Sequence, residues 1–318
     1  MARRESDIIV VKLSSLGDVI HALQAISILE RLGGFNVIWI VKERYFPLFK
    51  GIDWIVPFTP TFSNILSLRK KGFYLGIDMQ GLIKSSLILY LIRPGIRAGF
   101  SGSEVREKLA TALYNFRVDT RGERHVVKKL RKLLTVSLGV KDDDIYAIPM
   151  KVDDSEIELT YRYVEDDKFI LVLPSGGWES KKLKLSWVSE LVEKIKSKIG
   201  IKVYILPGLE DVDRYKKSSL GNLTLPSLGL REAIALILRA SAVIGPDTGF
   251  LHVASAFGVP VVGIYGPSDP VRNGPFSYSK SVVVYTMCSS IGCGKKNCPT
   301  CTLKVPLDSV ISALRNVL

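Results

Sequence analysis

Short unbroken runs of Val, Ile and Leu recur along this chain, and a stretch of helical apolar spacing follows each of them. No other feature constrains the fold as much. A strand that is apolar at every position must be covered on both faces, and a strand followed by a helix returns parallel to its predecessor. Residues 7–13 form the first run, which ends in Ser14-Ser15-Leu16-Gly17-Asp18. Val19, Leu23, Ile26 and Leu29 then recur at helical spacing and stop before Gly33-Gly34. Residues 37–41 and 73–77 read as further strands, and residues 82–92 and about 123–138 as helices. The second half repeats the pattern, with strands at 169–173, 203–206, 242–244 and 259–264. Helices are expected between them at 187–199, 230–238 and 250–257.

The pattern predicts an α/β protein with two Rossmann-like domains, their parallel sheets facing a central cleft. A length of 318 residues fits two domains of ordinary size. The charge distribution suggests where they divide. Residues 1–141 hold 23 Lys and Arg against 11 Asp and Glu, and residues 168–318 hold 19 against 10. Between them, residues 142–167 hold 10 acids against Lys151 and Arg162. The boundary is therefore placed inside the acidic stretch, giving domains 1–155 and 156–318. The C-terminal helix is allowed to pack back on the first domain.

The basic excess of 44 Lys and Arg over 31 Asp and Glu points to an anionic partner. Nucleic acid is disfavoured, because no RNA-recognition or helix-turn-helix signature is present and the lysines are not interleaved with a stripe of aromatics. A non-catalytic nucleotide-binding or nucleic-acid-binding protein is the remote alternative. No apolar run approaches the 18 residues a membrane helix needs, and the first apolar run is too short for a signal peptide. The expected setting is cytoplasmic.

Four loops carry the candidate chemistry. Ser14 to Asp18 lies at the carboxyl end of the first strand, where open α/β sheets bind ligands. There Gly17 is expected to allow close backbone approach or a positive φ, and Asp18 to cap the helix. Gly245-Pro246-Asp247-Thr248-Gly249-Phe250-Leu251-His252 follows a strand and opens a helix, so its N–H groups suit a diphosphate. Asp247 would bind a sugar hydroxyl or cap that helix, and His252 reads as a structural histidine. Pro174 to Lys182 offers a lysine to a leaving diphosphate or is a solvated loop. Gly263 to Pro270 reads as a loop near the crevice.

Together these pieces resemble the ADP-heptose:lipopolysaccharide heptosyltransferases, glycosyltransferase family 9, whose fold is GT-B. The resemblance rests on Lys12-Leu-Ser-Ser-Leu-Gly-Asp-Val-Ile-His21, Asp78-Met-Gln-Gly-Leu-Ile-Lys84-Ser, Arg106-Glu-Lys-Leu-Ala-Thr-Ala-Leu-Tyr114-Asn115 and Asp247-Thr-Gly-x-x-His252. The second and third look more like heptosyltransferase I than heptosyltransferase II, which stands as the alternative along with another ADP-sugar transferase. The resemblance implies an inverting transfer of heptose from ADP-heptose to a Kdo hydroxyl on lipid A. Asp18 would be the general base and Lys181 the phosphate-binding lysine. Ser15, Gly17, Lys182, Asp247, Thr248, Gly249 and His252 would lie at the donor. Asp213, with Glu210 competing, would bind ribose, and Leu228 would lie near adenine. Leu183-Lys184 stands where the family has Trp-Pro, so Lys181 and Lys182 both remain candidates. Lys84, Arg106 and Arg69, the last in the run Arg69-Lys70-Lys71, are candidates for the acidic acceptor. The basic first half would also meet the anionic inner-membrane surface as a peripheral protein.

Cys288, Cys293, Cys298 and Cys301 lie close together as C-x4-C-x4-C-x2-C. The choice is between a structural zinc knot and free thiols, with disulfides disfavoured in a reducing compartment. Either role would be structural, and no cofactor is expected to be required for catalysis.

Overall fold

The computed structural model describes residues 6–102, 104–105, 107–277, 280–286, 291–296 and 305–318. The chain forms two compact units, Met1–Lys151 and Val152–Leu318. The division after Lys151 lies inside the acidic stretch, a few residues before the boundary drawn from charge.

In the first unit the strands are β1 (Ser6–Val11), β2 (Phe35–Ile40), β3 (Ile55–Phe58), β4 (Leu75–Asp78), β5 (Ile96–Phe100) and β6 (Phe116–Val118). Its helices are α1 (Leu16–Ile26), α2 (Ile28–Leu32), α3 (Phe62–Arg69), α4 (Ile83–Ile92) and α5 (Val126–Leu138). All pairings are parallel, in the order β3-β2-β1-β4-β5-β6. β1 is central, and Ile8 to Val11 are buried. Ile9 and Val11 face one layer, where Ile65 and Leu68 of α3 and Ile88, Leu89 and Ile92 of α4 cover them. α1 and α5 pack against each other, and Arg131 of α5 is wholly buried with its guanidinium on the Gln24 and Ala25 carbonyls.

The second unit holds β7 (Phe169–Val172), β8 (Lys202–Ile205), β9 (Ala242–Pro246), β10 (Val261–Tyr265) and β11 (Ser281–Tyr285). Its helices are α6 (Asp154–Glu158), α7 (Leu185–Lys198), α8 (Val212–Lys216), α9 (Leu230–Arg239), α10 (Gly249–Ala256), α11 (Pro270–Asn273) and α12 (Leu307–Val317). The sheet is again parallel, in the order β11-β10-β9-β7-β8. Val188, Leu191 and Ile195 of α7 pack with Val310, Ile311 and Leu314 of α12 on one layer of this sheet. The C-terminal helix therefore completes the core of its own unit. Its apolar stripe is matched to β10, β11 and α7.

Candidate functional site

Each sheet changes direction once, and the two loops with the strongest candidate chemistry lie at those places. In the first unit the order reverses between β1 and β4, so the connections leaving them part and open a crevice at their carboxyl ends. The loop after β1 runs through Ser14 and Ser15 into α1, which starts at Leu16 with Ser15 as N-cap. Asp18 is therefore the third residue of the helix, not its cap as the sequence had suggested. Its Oδ2 accepts from the Ser15 backbone N–H at 3.1 Å and the Ser15 hydroxyl at 2.9 Å. Its Oδ1 lies 3.2 Å from the ammonium of the buried Lys12. The Asp18 side chain remains 28% exposed, enough for a substrate hydroxyl to reach. Gly17 is buried within the helix and is not among the positive-φ residues, so of the two expectations there the positive φ is not met.

The acceptor candidates separate. Lys84 is exposed in the first turn of α4, at the same strand edge as Asp18. Arg69 ends α3 and so lies toward the opposite edge, because a crossover helix runs antiparallel to its strands. Arg106 lies outside the described residues.

In the second unit the order reverses between β7 and β9. The loops that follow these strands carry the two motifs read as diphosphate sites. A Cβ on Gly245 would lie 2.9 Å from the Leu173 carbonyl oxygen, so glycine lets β9 close against the end of β7. A Cβ on Gly176 would lie 2.5 Å from that of Lys181, so glycine also lets the Pro174–Leu183 loop fold on itself. The loop is closed by the Leu183 N–H donating to the Pro174 carbonyl at 2.8 Å.

Lys181 is the lysine this folding brings inward. Its ammonium is 2.6 Å from Asp247 Oδ2 and 4.4 Å from the Trp178 ring centre. His252 Nε2 lies 2.7 Å from the other carboxylate oxygen of Asp247. Burial alone would raise the Asp247 carboxyl, but the His252 hydrogen bond and the His252 and Lys181 charges hold it well below the usual carboxylate range. Thr248 is the N-cap of α10 and accepts from the Leu251 N–H, with Gly249 as first helical residue. A lysine, a buried carboxylate and a helix tip thus share one point and suit a phosphate beside a polyhydroxyl group.

Lys182 points elsewhere, to Glu179 at 3.3 Å and Asp211 at 3.7 Å. Burial works against its charge, but these acids and Glu210 hold its ammonium above the ordinary lysine value. Asp211 is buried and accepts from the Ser175 hydroxyl at 2.7 Å, whereas Asp213 and Glu210 are exposed. The acid gathered with the Lys182 loop is therefore Asp211, which sequence reasoning had passed over. Leu228 is half-buried in the loop before α9. The cysteine segment reaches the same region. Ser180 donates to the carbonyls of Lys295 and Lys296, and Gly292 and Gly294 donate to those of Gly266 and Pro267. Cys293 is half-buried on this segment, which the Ser180 hydrogen bonds place against the lysine loop. Cys288, Cys298 and Cys301 lie outside the described residues.

A family model described as glycosyltransferase family 9 (heptosyltransferase) matches residues 62–304. The chain belongs to this family. It is a glycosyltransferase, and its two Rossmann-like units are those of the GT-B fold. This family 9 transferase is 26% identical over 301 residues to lipopolysaccharide heptosyltransferase 1 of Salmonella typhimurium, covering 83% of this chain and 89% of that protein. Lipopolysaccharide heptosyltransferase 2 of the same organism matches at 39% identity over 54 residues, 17% of this chain and 16% of that one. The solved E. coli heptosyltransferase WaaC with ADP matches with a TM-score of 0.75 at 20% identity, covering 98% of this chain and all of that one. No helix among the described residues is long and apolar enough to cross a membrane.

Proposed function

We propose that this family 9 transferase moves heptose from ADP-heptose onto a Kdo hydroxyl of the lipopolysaccharide inner core, as a heptosyltransferase I. Similarity to heptosyltransferase 1 over most of the chain supports the subtype. The observation that carries the chemistry is the cluster of Lys181, Asp247 and His252 at the start of α10, at the switch point of its sheet.

In this reading Asp18 takes the proton from the acceptor hydroxyl as that oxygen attacks the anomeric carbon from the face opposite the diphosphate. The bond from the anomeric carbon to the diphosphate oxygen breaks, and ADP leaves with the electron pair. Lys181 and the first N–H groups of α10 receive the growing negative charge, which they can stabilise without a divalent ion. Asp247 accepts from heptose hydroxyls while His252 fixes its orientation. Lys84 meets the acidic acceptor. The acceptor's lipid brings the protein to the anionic face of the membrane as a peripheral protein.

Incubation with ADP-heptose and Kdo-lipid A, read by mass, tests the reading. One added heptose is expected, and an acceptor that already carries a heptose should remain unchanged. Transfer only to that second acceptor would make it a heptosyltransferase II, and no transfer to either would overturn the reading. Asp18→Asn should lower turnover by about a hundredfold or more while ADP affinity stays near that of the parent. EDTA should leave transfer intact, and a loss restored by magnesium would contradict the metal-free account.

A further inference from the structure

We infer that Gln80, anchored by the buried Asp78–Tyr114 pair, is a positioning residue for Asp18, acting through the backbone of the loop that carries it. The inference rests on the reading of Asp18 as the base.

Asp78 ends β4 and is wholly buried. Its Oδ1 accepts from the N–H groups of Gln80 at 2.7 Å and Gly81 at 3.1 Å, which turns the chain sharply as it leaves the strand. Its Oδ2 accepts from the Tyr114 hydroxyl at 2.6 Å and lies 2.7 Å from the Ser85 hydroxyl. Burial pushes the Asp78 carboxyl up from its ordinary value, while these four donors pull against it. The turn sends two connections to the neighbouring loop. Gln80 Oε1 accepts from the backbone N–H groups of Leu13 at 3.0 Å and Ser14 at 3.4 Å. The Met79 carbonyl accepts from the Lys12 ammonium at 3.0 Å, and that ammonium also holds Asp18 Oδ1. Ser15, next along, holds Asp18 Oδ2.

The strands do not need this apparatus to stay together. β1 and β4 are already paired, and the Met79 N–H donates to the Val11 carbonyl at the end of the ladder. A buried carboxylate and a buried ammonium each cost several kcal/mol of desolvation, and apolar residues of the same size would pack as well. What the polar network adds is direction. It fixes the loop backbone at Leu13 and Ser14 and occupies both Asp18 oxygens, so the carboxylate plane is set before a substrate arrives. A base displaced by about 1 Å can lose about a hundredfold in rate. Gln80 lies 67 residues from Leu13 in the loop it would orient.

The test is a set of variants assayed for transfer, ADP affinity and thermal melting. Gln80→Leu removes the side-chain amide whose oxygen accepts from Leu13 and Ser14, and Tyr114→Phe removes the hydroxyl that anchors Asp78. Each should lower kcat by about ten- to a hundredfold with ADP affinity unchanged within about twofold. The decisive readout is the double variant Asp18→Asn/Gln80→Leu, which should be no slower than Asp18→Asn alone, because a residue acting through the base has nothing left to orient. Multiplied losses in the double variant, or a normal kcat in both single variants, would overturn the inference while leaving the base reading intact. A normal rate in Asp18→Asn would instead remove the base reading itself. Should Gln80→Leu fail to fold, Tyr114→Phe and its double variant with Asp18→Asn carry the same test.

Discussion

The Lys181 ammonium and the Asp247 carboxylate meet at 2.6 Å, and each side chain is only 12% exposed. A cation held this way is fixed in space before any phosphate arrives, and its partner carboxylate keeps it from being a bare buried charge. Lys182, one residue on, is turned to Glu179 and Asp211. The two lysines should therefore separate in a binding experiment. Lys181→Ala is expected to weaken ADP about tenfold or more by calorimetry, and Lys182→Ala by no more than about threefold. Equal losses would place both lysines on the phosphates.

The same pair gives a pH dependence. The Asp247 carboxyl is held below its ordinary value of 3.8, so in acid the native chain binds fewer protons there than the unfolded chain. Its stabilising contribution is thus complete above the ordinary carboxylate range and drains away as the pH falls below it. Asp247→Asn removes that contribution. The melting temperature of the variant should fall well short of the parent at about pH 7, and the gap should begin to narrow only below about pH 4 and persist in part at about pH 3. A constant difference across that range would mean that the carboxylate is not held ionised by His252 and Lys181.

Arg131 tests what holds the first unit together. Its guanidinium is wholly buried and bridges Asp142, Asp143, the Ser27 hydroxyl and the carbonyls of Gln24, Ala25 and Ile145. Arg31 binds Asp143 as well, and its hydrogen bond holds that carboxyl well below the usual range. Arg131→Met removes the donor that joins these groups at the junction of α1, α2 and α5, although Arg31 still holds Asp143 and the Ile145 carbonyl. A loss of about 3–5 kcal/mol follows, or a drop in melting temperature on the order of 10 °C. Lysine should not rescue it, since a single ammonium cannot reach six acceptors.

The strands legible in the sequence were those buried on both faces, such as β1 and β7, because covering both sides demands unbroken apolar residues. β3 and β6 lie at the edges of the first sheet, where one flank has no partner strand, and their short segments carry Pro57 and Arg117. β5 carries Arg97 and a glycine that makes room for the Tyr114 ring, so it also lacks a plain apolar signature. At the site, the residue types and the loops were readable, but the side-chain directions were not. Glu210, Asp211 and Asp213 stand within four positions, and only the start of α8 decides that Asp211 turns inward. Lys181 and Lys182 are adjacent, and the short turn at Glu179–Lys181 sends them to different acids. Gln80 could be quoted from its motif, but its partners lie 66 and 67 residues away, which local spacing does not reveal.

The outer faces of α3 and α4 give the peripheral membrane reading a definite surface. α4 is apolar on nearly every side, yet Ile83, Leu87 and Tyr90 form an exposed line one turn apart. Phe62 and Leu66 are exposed on neighbouring α3. From residue 61 to residue 100 the acid present is the buried Asp78, while Arg69, Lys70, Lys71, Lys84, Arg93 and Arg97 supply positive charge. Exposed apolar side chains on a segment rich in lysine and arginine suit the proposed contact with an anionic lipid surface, where the rings would enter the headgroup layer and the cations would meet phosphate. The protein should sediment with vesicles containing phosphatidylglycerol and far less with pure phosphatidylcholine, and about 0.5 M salt should weaken the association. Lys70→Glu/Lys71→Glu should reduce binding about tenfold or more, as each cation near the surface contributes about 1 kcal/mol. Leu87→Asp should reduce it further, by loss of apolar burial together with an added negative charge. Binding that ignores lipid charge, or concentration-dependent dimerisation abolished by Leu87→Asp, would show that another copy of the chain covers this face instead.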